Sequence, residues 1–500
     1  MRKLAKTGLK RDIDRHAQVQ FGFPAMVLME HAARSCWQKL RNRFEKVPCG
    51  LLVVAVGPGN NGGDGLALAR MAAEDGCRVV VLHSGSSWRD LPAQQLRMLQ
   101  ACERVRVIDW AQATAEAREA LQAADYVVDA LFGVGLSRPL SGAYAAITAE
   151  VNTARSHNCR MKIVSVDLPS GMLRGMSPQD SCIMADITLA VTPADTLLYI
   201  PAFRYLGGEI LHVDAGFPRR LIDSVACQTL LDTADIDDYT VALPVSAYKS
   251  SRGHVCIYGG SVQYHGAVVL ASQAAGCTTA GRVTTAVDPA IDAVVRTHLL
   301  SAVIQSHSDN PPAGVTALLA GSGWGSSADR PARLQELLQL SLPVVIDGEG
   351  LRALYSLQHV RREHDAVNWV LTPHPGELAL LADMTVEAVL QSIDTAAELV
   401  ARKYRAVVVA KSHVTCILHP DVGVFWIDGL EPALGTAGSG DVLAGMIAGE
   451  LASDGDPLRA AAYSVLLHLQ AGRNLHQGTA EQLVYQVGSL VRDNVRRRKQ

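Results

Sequence analysis

Short apolar runs, each stopped by glycine, proline or a carboxylate, recur along the chain between stretches of helical period. In the first half they are LLVVAV at 51–56, CRVVVLH at 77–83, ADYVVDALFGVG at 124–135, KIVSVDLPSG at 162–171, ADITLAVT at 185–192 and GEILHVDAG at 208–216. Unalternated runs of this kind are the signature of strands buried on both faces of a parallel sheet. Helical stretches at 66–74, 111–123 and 143–155 fall between several of them, and 14–44 reads as two helices broken at Gly22 and Pro24. The succession predicts a doubly wound α/β sheet.

The second half repeats the scheme with HVCIYGG from 254, RVTTAV from 282, ALLAGSGWG at 317–325, LPVVIDGEG at 342–350, VNWVLTPHPGE at 367–377 and YRAVVVAKSH at 404–413. A helix of small residues follows HVCIYGG, and such residues let a helix approach a sheet closely. From about 217 to 246 the period is lost and acidic residues gather at 232–238, which places a domain boundary there. The expected domains are 1–225 and 235–500, two α/β units with different loops and no internal repeat.

Composition narrows the class. Five hundred residues with 48% apolar content exceed one ordinary core. A formal net charge of -3 gives no sign of a nucleic-acid partner, and the basic ending Arg496, Arg497, Arg498, Lys499 reads as a solvated helix end. Ten cysteines, Cys49 and Cys227 among them, include no CxxC pair, so neither a disulfide framework nor a zinc site is expected. No run approaches the roughly 18 apolar residues of a membrane span. The expectation is a soluble cytoplasmic protein with no membrane partner.

The chemistry gathers at strand ends. GTAGSGDVLAG at 435–445 sets Gly435, Gly438 and Gly440 before Asp441 and then turns into a helix. Converging backbone N–H groups at a helix start suit a phosphate, and Asp441 beside it reads as a base or as an ordinary helix cap. GPGNNGGDG at 57–65 is a second strand, Gly-rich turn and helix, though not GxGxxG. Asn61, Asp64, Asp129 and Asp167 fall on strand ends in the first half; Asp347, His374, Glu377 and Lys411 do so in the second. His374, between Pro373 and Pro375, reads as lining a site.

FGFPAMVLMEHAA, GPGNNGGDG, VVDALFGVGLSRPLSG and VSVDLPSGM, in that order, resemble the epimerase half of the bifunctional NAD(P)H-hydrate repair enzymes, over roughly residues 1 to 225. The resemblance implies a Rossmann-like domain in which Asn60, Asn61, Gly62, Gly63 and Asp64 hold the hydrated nicotinamide nucleotide together with Gly133, Val134, Gly135, Leu136, Ser137, Arg138 and Pro139. It also implies a potassium ion on Asn61, Asp129 and Ser170, with Asp167 as the acid/base residue for exchange at carbon six of the ring. One departure stands out: where that family carries a lysine in a segment like APKPG, this chain reads TPADT with Ala194.

From about 235 to 500, KSSRGHVCIYGGS with HGA, LTPHPGE, VVVAKS and GTAGSGDVLAG resemble the ADP- or ATP-dependent NAD(P)H-hydrate dehydratases of the ribokinase-like superfamily. The implied nucleotide contacts are Lys411, Ser412, His413, Val414 and Thr415 with Gly435, Thr436, Ala437, Gly438, Ser439 and Gly440. Ala267, Gly323 and His374 would face the hydrate with Asp441 as base, magnesium would accompany ADP or ATP, and a homo-oligomer is implied. This chain departs at KSSRG, at Gly321-Ser322-Gly323, at DGEGL and at Leu430–Leu434, where Glu431 replaces an asparagine and brings a carboxylate towards the nucleotide phosphates unless it turns outward or holds a metal.

The leading expectation is an enzyme that epimerises NADHX and NADPHX in its first domain and dehydrates the S form in its second. The alternative enzyme is a vitamin or sugar-alcohol kinase of ribokinase type with a fused nucleotide-binding module, which the glycine loop alone permits. A third reading, prompted by Ala194, makes the first domain a ligand-binding or interaction module.

Overall fold

The computed structural model describes residues 1–44, 50–85, 87–102, 104–225, 228–357 and 366–497, with backbone alone for 494–497. Cys49, Cys227, Arg498 and Lys499 lie outside the described residues. The chain forms two compact units, Arg2–Gln228 and Thr229–Gln500 with Met1.

In the first unit the strands are β1 (Arg2–Ala5), β2 (Leu51–Val56), β3 (Arg78–His83), β4 (Val105–Asp109), β5 (Tyr126–Ala130), β6 (Lys162–Val166), β7 (Ile187–Val191), β8 (Ala194–Asp195) and β9 (Glu209–Val213). Seven of them make one sheet in the order β4-β3-β2-β5-β6-β7-β9, parallel throughout. The direction of winding reverses between β2 and β5, and their carboxyl ends open the crevice where such sheets bind ligands. Helices Ala25–Arg43 and Asn60–Glu74 bury one face, and Thr114–Gln122 with Gly142–His157 the other.

Two local expectations change here. The earlier of the two N-terminal helices starts at Thr7, not Asp14. NNGGD is not a turn ahead of a helix at 66 but the opening of the helix Asn60–Glu74. Its glycines serve proximity: a Cβ on Gly62 would lie 1.8 Å from the Gly57 carbonyl oxygen, and one on Gly65 would lie 2.4 Å from the Ala130 Cβ.

The segment around the boundary is also more ordered than its sequence period suggests. It holds a helix at Arg219–Val225, strand β10 (Gln228–Leu231), a 3-10 turn at Thr233–Asp235 and a short helix at Ile236–Tyr239. The acidic cluster is partly a capping box, in which the Asp232 carboxylate accepts from Thr233 N–H and Asp235 accepts from Asp232 N–H at 2.9 Å. Elements this short leave no periodicity to read.

The second unit continues with β11 (His254–Tyr258), β12 (Arg282–Val287), β13 (Val303–Ser306), β14 (Ala317–Ala320), β15 (Val344–Ile346), β16 (Trp369–Leu371), β17 (Val407–Ala410), β18 (Val414–His419) and β19 (Gly423–Asp428). The order is β13-β12-β11-β14-β15-β16-β17-β18-β19, parallel as far as β17 and closed by an antiparallel β18–β19 pair. Its winding reverses between β11 and β14. Among the described residues, no helix is long and apolar enough to cross a membrane.

The small residues of the helix His265–Cys277 do more than meet the sheet. They receive the helix Ser439–Asp454, in which a Cβ on Gly445 would fall 2.1 Å from the Ala271 carbonyl oxygen and one on Gly449 2.1 Å from the Thr278 hydroxyl. Gly445→Val forces that backbone contact apart. We expect a cost of about 3 kcal/mol and a melting temperature for this unit lowered by roughly 5–10 °C; calorimetry showing no change would contradict the close approach.

Candidate functional site

At the crevice of the first unit lies a cavity of about 370 Å³ whose wall includes Asn60, Asn61, Asp64, Gly133, Val134, Gly135 and Asp167. Asn61 and Asp167 meet at Gly133, where a Cβ would stand 3.0 Å from Asp167 Oδ2 and 3.3 Å from Asn61 Oδ1. Gly62 and Gly63 are buried in helix packing, and Leu136, Ser137, Arg138 and Pro139 do not line the cavity. Asp167 has a φ of 68°, a left-handed conformation that costs a non-glycine residue about 1 kcal/mol or more, and its N–H is fixed to the Leu189 carbonyl at 2.9 Å.

Asp129 and Ser170 are wholly buried. The Asp129 carboxylate accepts from Ser165 Oγ at 2.8 Å, from Ser170 N–H at 2.8 Å, from Leu131 N–H at 3.3 Å and from the Ser170 hydroxyl. Ser170 Oγ in turn accepts from Phe132 N–H at 2.8 Å, one residue before Gly133. These partners are all neutral, and burial holds the Asp129 carboxyl above its ordinary value against their hydrogen bonds. Among the described residues, the Asn61 Nδ2 is buried without a hydrogen-bond partner.

Two residues of the N-terminal helix join this site although nothing in their local sequence assigned them to it. Lys10 donates to Asp167, and Asp14 lines the same cavity with its carboxyl pushed up to about 6, chiefly by burial. Burial, Asp167 and Asp14 together drive the Asp64 carboxyl well above its usual range, with Lys10 opposing them. The sequence signal for Lys10 was its place on the buried stripe Lys10, Ile13, Ala17 of an otherwise polar helix.

In the second unit the loop Gly435–Gly440 ends on Gly438, whose φ of 88° suits glycine and which caps the helix Ser439–Asp454. Asp441 therefore stands in the first turn of that helix. His468 braces the loop: its Nε2 lies 3.1 Å from the Ser439 carbonyl oxygen, and burial pushes its value down to about 4, leaving it neutral.

Lys411, at the end of β17, reaches the loop from behind. A Cβ on Gly440 would be 3.3 Å from its Nζ, which donates at 2.8 Å to Asp347 Oδ1. Asp347 also accepts from the Thr372 hydroxyl at 2.6 Å and lies 3.5 Å from Ser322 Oγ. Burial works against the Lys411 charge, but Asp347 and Glu377 hold its value above the ordinary one. The Asp441 carboxyl is pushed up to about 7 by burial and by Asp347, with Lys411 and a Ser322 hydrogen bond pulling the other way. Glu377 is likewise raised, first by burial.

Of the residues expected to face a substrate, Ala267 and Gly323 are brought together, since a Cβ on Gly323 would be 2.6 Å from that of Ala267. Ser322 links Gly323 to Asp441. His374 also caps a helix, with its ring half exposed. Its Nδ1 accepts from Gly376 N–H at 3.0 Å at the start of the helix Pro375–Ala382, and Glu377 returns the bond to His374 N–H at 2.9 Å. Ser412 and His413 occupy the turn between β17 and β18, where Ser412 Oγ and His413 Nδ1 are 3.3 Å apart; Val414 is buried and Thr415 opens β18 with it. Glu431, expected near the phosphates, instead accepts from Ala433 N–H at 3.2 Å in its own 3-10 turn and packs beside Gly472. Asp347, Thr372 and Ser322 had no role assigned from sequence; a strand-end carboxylate was visible, but its lysine partner is 64 positions away.

Two family models match the chain: YjeF-related protein N-terminus over residues 25–195, and NAD(P)H-hydrate dehydratase over 255–488. The protein named bifunctional NAD(P)H-hydrate repair enzyme Nnr from Moorella thermoacetica is 30% identical over 486 residues, spanning 92% of this chain and 90% of its own length. The chain belongs to the bifunctional NAD(P)H-hydrate repair enzyme family. A relative of the same name from Thermofilum pendens is 31% identical over 473 residues, covering 89% of this chain and 87% of itself. A crystal structure of the ADP/ATP-dependent NAD(P)H-hydrate dehydratase from Bacillus subtilis, co-crystallized with ATP/Mg2+, is 21% identical with a TM-score of 0.49, over 53% of this chain and 98% of that one.

Asp129 gives this repair-enzyme chain a testable anchor. In Asp129→Asn an amide N–H₂ faces donors in place of an acceptor, so we expect a loss of about 2–3 kcal/mol of stability, read from denaturant unfolding of the first unit. Wild-type stability would mean that the buried hydrogen bonds do not hold this strand end.

Proposed function

We propose that the protein repairs hydrated NADH and NADPH: the first unit interconverts the R and S hydrates, and the second converts the S hydrate to NAD(P)H at the expense of ADP or ATP. The observation that carries this is the meeting of Lys411, Gly440 and Asp441 at one helix start. The nucleotide phosphates fit the Gly435–Gly440 loop with the Lys411 ammonium against them, and the hydrate fits beside Ala267, Gly323 and Asp441.

Asp441 takes the proton of the ring hydroxyl as that oxygen bonds to the terminal phosphorus and the bond from phosphorus to the nucleotide breaks. Phosphate then leaves with the C–O bonding pair, and loss of a neighbouring ring proton restores the dihydronicotinamide. Positioning and charge neutralisation supply most of such a transfer. Asp347, Glu377 and Asp441 set three carboxylates around one lysine, and this excess of negative charge suits magnesium, which Asp347 and Glu377 would hold. Magnesium would screen the charge on the transferring phosphate.

In the first unit Asp167 moves the proton on and off the hydrated ring. The buried Asp129 carboxylate with its neutral hydrogen-bond partners, the Ser170 hydroxyl and the amide oxygen of Asn61 offer oxygen donors that suit a monovalent hard cation, and we assign potassium to them. Epimer exchange at equal rates in potassium and sodium buffers would remove that assignment. A cytoplasmic location and homo-oligomer formation complete the proposal, to be read by cell fractionation and by sedimentation velocity.

An epimer mixture of NADHX incubated with ADP or ATP tests both halves. Complete recovery of NADH absorbance, beyond spontaneous epimerisation, is expected; recovery of one epimer alone would remove the first activity, and a stable phosphorylated product in place of NADH would make the second unit a kinase. Because Asp441 acts as the carboxylate and its value stands at about 7, kcat/KM for dehydration should rise with pH through that region, and Asp441→Asn should lose about 100-fold or more. A flat profile from pH 5.5 to 8 would take the base role from Asp441.

A further inference from the structure

Among the described residues of the first unit, one lysine is nearly buried, and its burial needs a reason. Lys10 is 8% exposed on the helix Thr7–Phe21. Its ammonium donates to Asp167 and, at 3.1 Å, to the carbonyl of Val191, the last residue of β7, so one cation ties together the ends of two neighbouring strands. It lines the same cavity as Asn61, Gly133 and Asp167. An ammonium in such a place is retained only against charge, and the charge is at hand. Asp14 faces it from its own helix, Asp64 from the helix Asn60–Glu74, Asp195 from β8 and Asp167 from the end of β6; Cys36, from the helix Ala25–Arg43, is the other titratable group that feels Asp167.

Position 194 has no room for a long side chain. Ala194 is 0% exposed and sits in β8, paired in parallel with β1 in the register Leu4↔Ala194. The next residue, Asp195, accepts from the Thr7 hydroxyl at 2.8 Å. That bond fixes the first residue of the N-terminal helix, and Lys10, three residues further on, lies one turn along towards Asp167. The strand that keeps Ala194 in the core thereby helps to deliver Lys10.

We propose that Lys10 is a positioning residue of the epimerisation site, its ammonium holding Asp167 as an oriented carboxylate at the cavity wall. In the ground state the Asp167 carboxylate faces the ring hydroxyl. As it takes that proton the carbon–nitrogen bond of the hemiaminal opens, the oxygen becoming an aldehyde and the bonding pair resting on nitrogen. After rotation the nitrogen adds to the other aldehyde face while Asp167 returns the proton to oxygen, Lys10 keeping its own and remaining bonded to Val191. The ammonium also lowers the cost of having Asp14, Asp64 and Asp195 near the same carboxylate. An ion pair that served stability alone would not lower kcat while leaving KM unchanged.

The inference rests on the epimerase reading of the first unit, so wild-type exchange of R and S hydrates is measured first on the full chain; no exchange would overturn both. With exchange present, Lys10→Met should lower its kcat about 100-fold and leave KM for the hydrate nearly unchanged, because the neutral side chain no longer orients the Asp167 carboxylate. Dehydration of the S hydrate should stay at the wild-type rate, and Lys10→Arg, which keeps the charge and the donors, should restore most of kcat. Where Met costs the thermal transition of the first unit, Lys10→Gln, which keeps a donor without the charge, should give the same loss of kcat at unchanged KM. Wild-type kcat in the neutral variant, or a loss that arginine does not rescue, would overturn the proposal.

Discussion

A parallel sheet delivers the carboxyl ends of its strands to one edge, and this constraint governs the rest of the molecule. Polar residues that follow different strands need no long-range pairing to meet; the sheet brings them together. In the first unit the edge gathers Asn61, Gly133 and Asp167 from β2, β5 and β6. In the second it gathers Ser322, Asp347, Thr372 and Lys411 from β14 to β17. The reversal of winding opens a gap at the same edge, and each cluster faces it.

Gathering carboxylates in a half-dry crevice carries an electrostatic cost, and both units meet it in the same manner. One lysine stands among several acids, Lys10 in the first and Lys411 in the second, and Asp64 in the first and Asp441 in the second keep raised values because burial outweighs the single cation. The consequence differs with the partner. Lys411 is pinned to Asp347, which leaves Asp441 poised near neutrality beside the glycine loop, whereas Lys10 is pinned to Asp167 itself.

What the sequence made legible follows from the same physics. Strand runs, the Gly-rich loops and the carboxylates at strand ends could be read because each is a local pattern. Short or alternating pieces escaped: β4 mixes charged and apolar residues in VRVID, β13 has four residues, and β10 has no period to detect. Roles that depend on orientation escaped too. His374 has the right neighbours for a site yet spends its Nδ1 on a helix cap, and Glu431, alarming beside a phosphate loop, folds back on its own turn. Lys10 was hidden because a buried lysine is intelligible only once the acids around it, drawn from four separate elements, are in place.

The glycine contact between the helices Ser439–Asp454 and His265–Cys277 has a consequence for how this site can change over evolutionary time. Asp441 rides on one helix and Ala267 on the other, and the spacing between them is set where backbone touches backbone at Gly445 and Ala271. No rotamer can be retuned there, so the two helices act as a caliper of fixed opening. Any change in which molecule this crevice accepts is therefore left to the loops around the caliper.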